Sequence, residues 1–458
     1  MYDLLVYNGR LVLPDSVQHG GIAIRDGKII KIFQEKENLS GKSEIDAGGK
    51  YILPGLIDSH VHFRTPGLTH KENWISASKA AVAGGITSII DMPNTDPYIN
   101  TLEALINKES LIKDSLVDYG FHFGVIPGKT EYLDSINAKE VASIKVFMAG
   151  HQTAKNIITE LSELEAIFRI AKEKDILLTF HAEDEEILSL YRGTKNPPQN
   201  LKEYESYLPR IAGIIAVGII VKLVKKYGVK AHILHVSSSE EVKLLKLAQS
   251  AGYPISFETT PHQLWFDIES NHSLGARVKL SPAIRTKDDK LHLWDSLING
   301  NIISIGSDHA PHTNEEKNQP FADCPPGLPG VQEMLPVLIT GLLQNYPNMN
   351  KDELMVMVVS LLGSGPADLF RINHLKGRLE IGLDADLVLV DINKQWEVKK
   401  ADLYSLSKWS PYEGEILVGK PTITIRRGQI VYNEGKFGDT NGEKLIYNVE
   451  HKETILSH

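Results

Sequence analysis

His60 and His62, separated by Val61 in LIDSHVHFRTPG, set two imidazoles two residues apart at the end of an apolar run. In an extended strand alternate side chains share a face, so both rings would project toward one point. Two aligned ring nitrogens are the beginning of a metal site, and Arg64 continues the alternation with a fixed cation beside them. A short H-x-H is also compatible with a buried strand carrying two incidental histidines, so the remaining ligands decide.

Further candidates stand at the ends of similar apolar segments: Lys145 in SIKVFMAG, His181 in LLTFHAE, His235 in AHILHVS and Asp308 in IISIGSDH. Four imidazoles and a carboxylate suit zinc or a related divalent ion. They exceed one tetrahedral catalytic site, and two metals about 3.5–4 Å apart, activating a shared water, account for them better. An unpaired ammonium inside an apolar strand is costly, and burial favours the neutral amine. A neutral Lys145 could capture carbon dioxide as a carbamate whose two oxygens bridge two metals. The alternative is a lysine paired with a carboxylate or snorkelling to solvent; the neighbouring histidines favour the carbamate. Asp308 could ligate a metal, take a proton from water and return it to a leaving nitrogen. His309 should point to the other side, and it receives no role.

These residues need elements to hold them. Eight β-rich apolar runs begin near Leu56, Ser88, Asp118, Ser143, Leu177, Ala231, Ile255 and Ile302, with helical patterns between them. Repeated βα units with strands buried on both faces predict a parallel (β/α)₈ TIM-type barrel. Most of these runs carry their polar residues near the C-terminal end, the face on which barrel active sites assemble. Both ends of the chain read differently, as short strands with turns; Asn8-Gly9 and Asp26-Gly27 are hairpin-type dipeptides. The expected organisation is a small β-sandwich from residues 1–53 and 374–458, interrupted by a barrel over 54–373.

Composition bounds the function. Apolar residues make up 42% and charged residues 23%, ordinary for a soluble globular chain, and the net charge of −9 opposes a nucleic-acid role resting on bulk charge. The single cysteine, Cys324, excludes an intramolecular disulfide and a cysteine-based zinc site and fits a cytoplasmic setting. The N-terminus has no secretory pattern, and the apolar run Ile211 to Val221 is far short of the roughly 20 residues of a membrane span. It is expected to be a buried helix segment, with no membrane partner.

The ordered set HVHFRTPG, GGITSIIDMPNTDP, SIKVFMAG, FHAED, LHVSSSEEV, FETTPHQL and IGSDHAPH resembles the amidohydrolase superfamily, and within it the dihydroorotases of pyrimidine synthesis. The likeness extends over nearly the whole chain, including IGLDADLVLVD. It implies that His60, His62 and Asp308 hold one Zn²⁺, that His181 and His235 hold a second, and that carbamylated Lys145 bridges them. Arg64, Asn94 in MPNT and His312 in DHAPH match the family's binders of a substrate carboxylate. The implied reaction is reversible hydrolysis of dihydroorotate to N-carbamoyl-aspartate by metal-activated hydroxide, with Asp308 as base and acid. A homo-oligomer is expected, and association with aspartate transcarbamoylase is a partnership known for some members. Allantoinases and hydantoinases share the metal chemistry but need no carboxylate clamp; a non-catalytic scaffold relative would be marked by lost ligands. The chain departs from the pattern at Gln263, where many relatives have His, at Ser281, where they have Asn, and at Gly213, where an acidic residue is common. The stretch Thr313–Gly330 looks like a loop that could close over the ligand, while its Gly and Pro content alone supports only an ordinary surface loop.

Overall fold

The computed structural model describes residues 1–36, 38–269, 272–438 and 442–448. Eight strand positions form a parallel barrel: Leu56–Val61, Ile86–Asp91, Asp118–Phe121 continued by Phe123–Gly124, Ile144–Phe147, Leu178–His181, Ala231–Ile233, Ile255–Thr259 and Ser304–Ile305. All but one of these residues are buried, as strands sandwiched between a barrel interior and a ring of helices require. The barrel closes where Val61 bridges His309 in parallel and the His62 amide donates to the His309 carbonyl at 2.9 Å.

The third strand is interrupted at His122, whose ring fills the interior, with its nitrogens 2.7 Å from Ser143 Oγ and 2.9 Å from the Ser59 carbonyl. Pairing survives the break because Ala142 N donates to Phe121 O and Phe123 N to Ser143 O. On the outer ring, the helix Arg210–Tyr227 contains the apolar run 211–221 and buries Ala212, Ala216, Val217, Ile220 and Leu223. The stretch Leu201–Tyr227 is long and apolar enough to cross a membrane by length and composition alone, but Ala216, Val217, Ile220 and Leu223 pack into the core against the barrel.

The two termini share one nine-stranded sheet that forms the β-sandwich beside the barrel. Its long strand Tyr2–Val12 pairs with Val17–Arg25, then with Gly41–Asp46 along its first half and Tyr51–Pro54 along its second. Tyr51–Pro54 in turn pairs antiparallel with Leu387–Val390, so N- and C-terminal segments interleave. Leu4, Val6, Ile22, Ile52, Leu387 and Ile425 form their common core. Asp26 and Gly27 both take positive φ, as a tight hairpin turn requires. Asn8-Gly9 is not a turn: it lies inside the first strand, at a register break between Val6 and Gly9. The close approach of Ile52 explains this glycine, since a Cβ there would lie 2.4 Å from Ile52 Cδ1.

Between Leu387–Val390 and Pro421–Arg426 the chain leaves the terminal sheet. A hairpin of Gln395–Glu397 and Ile416–Val418 carries Leu403, Trp409, Tyr412 and Leu417 onto Phe266, Val278, Leu280 and Leu328 at the barrel rim.

Candidate functional site

Six of the residues singled out for chemistry line one cavity at the C-terminal mouth of the barrel: His60, His62, Lys145, His181, His235 and Asp308; Arg64 joins them. Three of these seven, Arg64, His235 and Asp308, hold φ of 59°, 40° and 44°, in a region that non-glycine residues seldom occupy. The sixth and eighth strands accordingly stop at Ile233 and Ile305, and the functional side chains are turned inward just beyond them. Such backbone persists only where surrounding contacts over-determine it.

One donor group is complete. The ligand atoms of His60, His62 and Asp308 lie within 4.8 Å of one another, with Asp308 Oδ1 3.1 Å from His62 Nε2 and 3.4 Å from His60 Nε2. The opposite ring nitrogens are already committed: His60 Nδ1 meets Glu258 Oε1 at 2.6 Å and His62 Nδ1 meets Asn94 Oδ1 at 2.7 Å. Acceptors at Nδ1 fix the proton there and leave each Nε2 lone pair for a cation. A second pair adjoins it, with His181 Nδ1 3.0 Å from His235 Nε2 and the His60 and His235 rings 5.3 Å apart. Glu183 Oε2 takes the other nitrogen of His181 at 3.0 Å.

Lys145 is placed as neither alternative reading of its sequence requires. Its Nζ is buried, 4.4 Å from the centre of the Phe147 ring, and among the described residues it has no hydrogen-bond partner, so it neither pairs with a carboxylate there nor snorkels. Burial lowers its pKa to about 7 against the pull of Asp308 and Glu258, so much of the amine is neutral near neutrality. Burial likewise takes His62 to about 4. It would raise Asp308, but His60, His62 and His235 outweigh it and hold that carboxyl well below its usual range. The imidazoles of His62 and His235, held neutral by burial, an ionised carboxylate and an orphaned amine are in protonation states in which divalent cations are bound. The donor set fits such ions.

The three residues matched to carboxylate binding are placed differently from one another. Arg64 is buried, its Nε has no partner, and among the described residues no carboxylate or carbonyl satisfies its guanidinium. Desolvation lowers its pKa to about 10, yet it remains a cation at neutral pH. Asn94 is engaged at both ends, by His62 and by Thr153 Oγ1 at 3.4 Å. His312 is held at 3.1 Å by Lys71 Nζ and at 3.0 Å by the Pro326 carbonyl. His309 does point away: its Nδ1 accepts from the Gly330 amide and its Nε2 lies 3.4 Å from Glu72.

The departures from the family pattern also find contacts. Ser281 lines the cavity and donates to Glu183 Oε2 at 3.1 Å; Gln263 Nε2 reaches the Pro282 and Ala283 carbonyls at 3.4 Å. Gly213 leaves room for Glu241, whose Oε1 would stand 2.8 Å from a Cβ there. The loop after Thr313 contributes Pro326 and Gly327 to the wall, braced by Lys317 Nζ on the Pro325 and Gly327 carbonyls. Sequence reasoning gave no role to Glu183, Glu258, His151 or Thr153. The first two sit inside the quoted motifs FHAED and FETTPHQL, whereas a histidine in a loop carries no spacing signal.

A family model described as the amidohydrolase family matches residues 51–431. The chain is 34% identical over 443 residues to a dihydroorotase from Methanosarcina mazei, covering 95% of each chain. It is 33% identical over 449 residues to an allantoinase from Desulfitobacterium hafniense, covering 95% of this chain and 96% of that one. Among solved structures it superposes on an L-hydantoinase (dihydropyrimidinase) from Arthrobacter aurescens with a TM-score of 0.91 and 29% identity, over 98% of this chain and 100% of that chain.

Proposed function

Because the chain belongs to the amidohydrolase family and its relatives are cyclic amidohydrolases, we propose that it is a dihydroorotase, interconverting dihydroorotate and N-carbamoyl-aspartate. The relatives support a cyclic amide hydrolase without choosing among ring substrates. The observation favouring dihydroorotate is Arg64: a buried, charged and unsatisfied guanidinium on the cavity wall calls for an anionic ligand. Dihydroorotate and carbamoyl-aspartate carry a carboxylate suited to that fork; allantoin and unsubstituted hydantoin do not.

In this reading His60, His62 and Asp308 would hold one zinc ion and His181 and His235 a second, with carbamylated Lys145 as a further ligand. When bound, such ions lower the pKa of water and polarise an amide carbonyl. The chain's own groups do the rest. Arg64 holds the substrate carboxylate and thereby fixes the ring. Glu258, Asn94 and Glu183 keep three imidazoles in one tautomer and orientation. Asp308 takes a proton from the attacking water and returns it to the ring nitrogen as the C–N bond breaks; ring closure runs these transfers backwards.

A hydantoinase is the second reading. It is favoured by the engagement of both polar ends of Asn94 and of His312 within the protein, which leaves Arg64 alone as the anion contact. Turnover of dihydroorotate, hydantoin and allantoin by metal-replete protein, with Arg64→Met in parallel, tests the choice. Dihydroorotate turnover that falls by about 10²-fold or more in Arg64→Met, through loss of a charge-assisted anion contact, is expected. Turnover of hydantoin or allantoin in its place, unaffected by Arg64→Met, would overturn the assignment.

A further inference from the structure

A chain of hydrogen bonds runs from the His62 ring into the loop after the fourth barrel strand. His62 Nδ1 lies 2.7 Å from Asn94 Oδ1, Asn94 Nδ2 lies 3.4 Å from Thr153 Oγ1, and Thr153 Oγ1 lies 3.3 Å from His151 Nδ1. From His62 outward, the capacities of its members allow one continuous direction. With its Nε2 facing the metal group, His62 carries its proton at Nδ1 and donates to the Asn94 carbonyl oxygen. The Asn94 amide then donates to the Thr153 hydroxyl oxygen, whose own proton is free to go to His151 Nδ1. In that direction His151 Nδ1 is the acceptor and the His151 proton stands on Nε2.

That nitrogen meets no protein partner among the described residues, and the ring lines the same cavity as Lys145, His181, Asp308 and Arg64. The ring is held in place twice over. Its centroid lies 5.9 Å from that of His181 and 6.1 Å from that of Phe147. The backbone is clamped by reciprocal bonds between His151 and Ala154, at 3.1 and 3.0 Å.

We propose that His151 is a catalytic residue of the cyclic-amide reaction: its Nε2–H donates a hydrogen bond to the oxygen of the ring carbonyl under attack and strengthens it as negative charge gathers there. Asn94 and Thr153 are positioning residues, acting through the tautomer of His151. No proton is transferred at this atom, so the neutral ring serves throughout; the donor is aimed in advance and needs no reorganisation as charge develops. The inference rests on the cyclic-amide reading but not on which ring is the substrate.

The test compares His151→Phe, His151→Gln and Thr153→Val with the unaltered metal-replete enzyme, on whichever of dihydroorotate, hydantoin and allantoin it turns over, with bound metal measured in each. Phe keeps the ring volume without a donor, and Gln restores an N–H near the Nε2 position. His151→Phe should lose about 10²–10³-fold in kcat, as removal of one oxyanion donor does elsewhere, with metal content unchanged. His151→Gln should recover about tenfold or more of that loss, and Thr153→Val should fall between Phe and the unaltered enzyme. A kcat in His151→Phe within about threefold of normal, a change confined to KM, a Gln variant no better than Phe, or loss of metal with the ring would each overturn the role. An unaltered enzyme inert toward all three rings would instead overturn the cyclic-amide reading and this inference with it.

Discussion

Lys145 shows how burial alone prepares a residue for chemistry. Among the described residues nothing satisfies its Nζ, and desolvation draws its pKa down toward neutrality. A group left in that state is costly unless something completes it, and a carbamate bridging two cations would do so. Lys145→Ala should therefore abolish turnover and lower bound metal, while the far-ultraviolet circular dichroism stays native; full activity in this variant would remove the bridging role. The residues that gather at the cavity were legible in sequence because ligand types at the ends of apolar strands are conspicuous. The carboxylates behind them were not. Glu258 and Glu183 matter through the ring nitrogens they occupy, and only the fold shows which histidine each one meets. Gly213 is similar: its lack of a side chain makes sense only beside Glu241, which the fold brings against it.

At the scale of elements, the eight barrel strands could be read because burial on both faces demands near-continuous apolar runs. The break at His122 could not, since it depends on Ser59 and Ser143 arriving from neighbouring strands. Nor could the path from Gln395 to Val418, where Trp396, Trp409 and Tyr412 follow neither a two-residue nor a helical period. Glu72 ties this excursion to the barrel. Its carboxylate accepts from Ser405 Oγ at 2.5 Å and from the Leu406 amide at 3.2 Å, it bonds Ser76, and it faces His309, the residue after Asp308. The same excursion reaches the site again where Trp409 Nε1 donates to the His312 carbonyl at 2.9 Å. Glu72→Ala leaves buried donors without an acceptor and should cost about 1–3 kcal/mol. Proteolysis should then cut first between residues 395 and 418, with midpoint and fragment map as the readouts. Unchanged cleavage sites would mean that apolar packing alone holds the segment.

Across the whole molecule, the barrel and the terminal sheet meet at a buried cluster of charge. Lys376 Nζ lies 2.6 Å from Asp118 at the start of the third barrel strand, 2.8 Å from Asp384 and 2.8 Å from Asp386. Arg426, from a strand of the terminal sheet, reaches Asp118 at 2.7 Å. Burial disfavours every one of these charges, but the three carboxylates outweigh it and raise the Lys376 pKa; Lys376 and Arg426 in turn lower that of Asp118. Such a cluster need not make the fold more stable than apolar packing would, but it cannot lose one member cheaply. Lys376→Met would leave Asp118, Asp384 and Asp386 close together with their central cation gone. The expected cost is about 3–5 kcal/mol, as for an uncompensated buried charge, with the denaturation midpoint falling accordingly. The exposed pair Lys42–Asp3, at 2.7 Å, serves as the control, and Lys42→Met should leave the midpoint unchanged because solvent screens that interaction. If Lys376→Met instead shifted the midpoint no further than Lys42→Met, the two layers would be joined by their apolar contacts, and the cluster would contribute to register and not to stability.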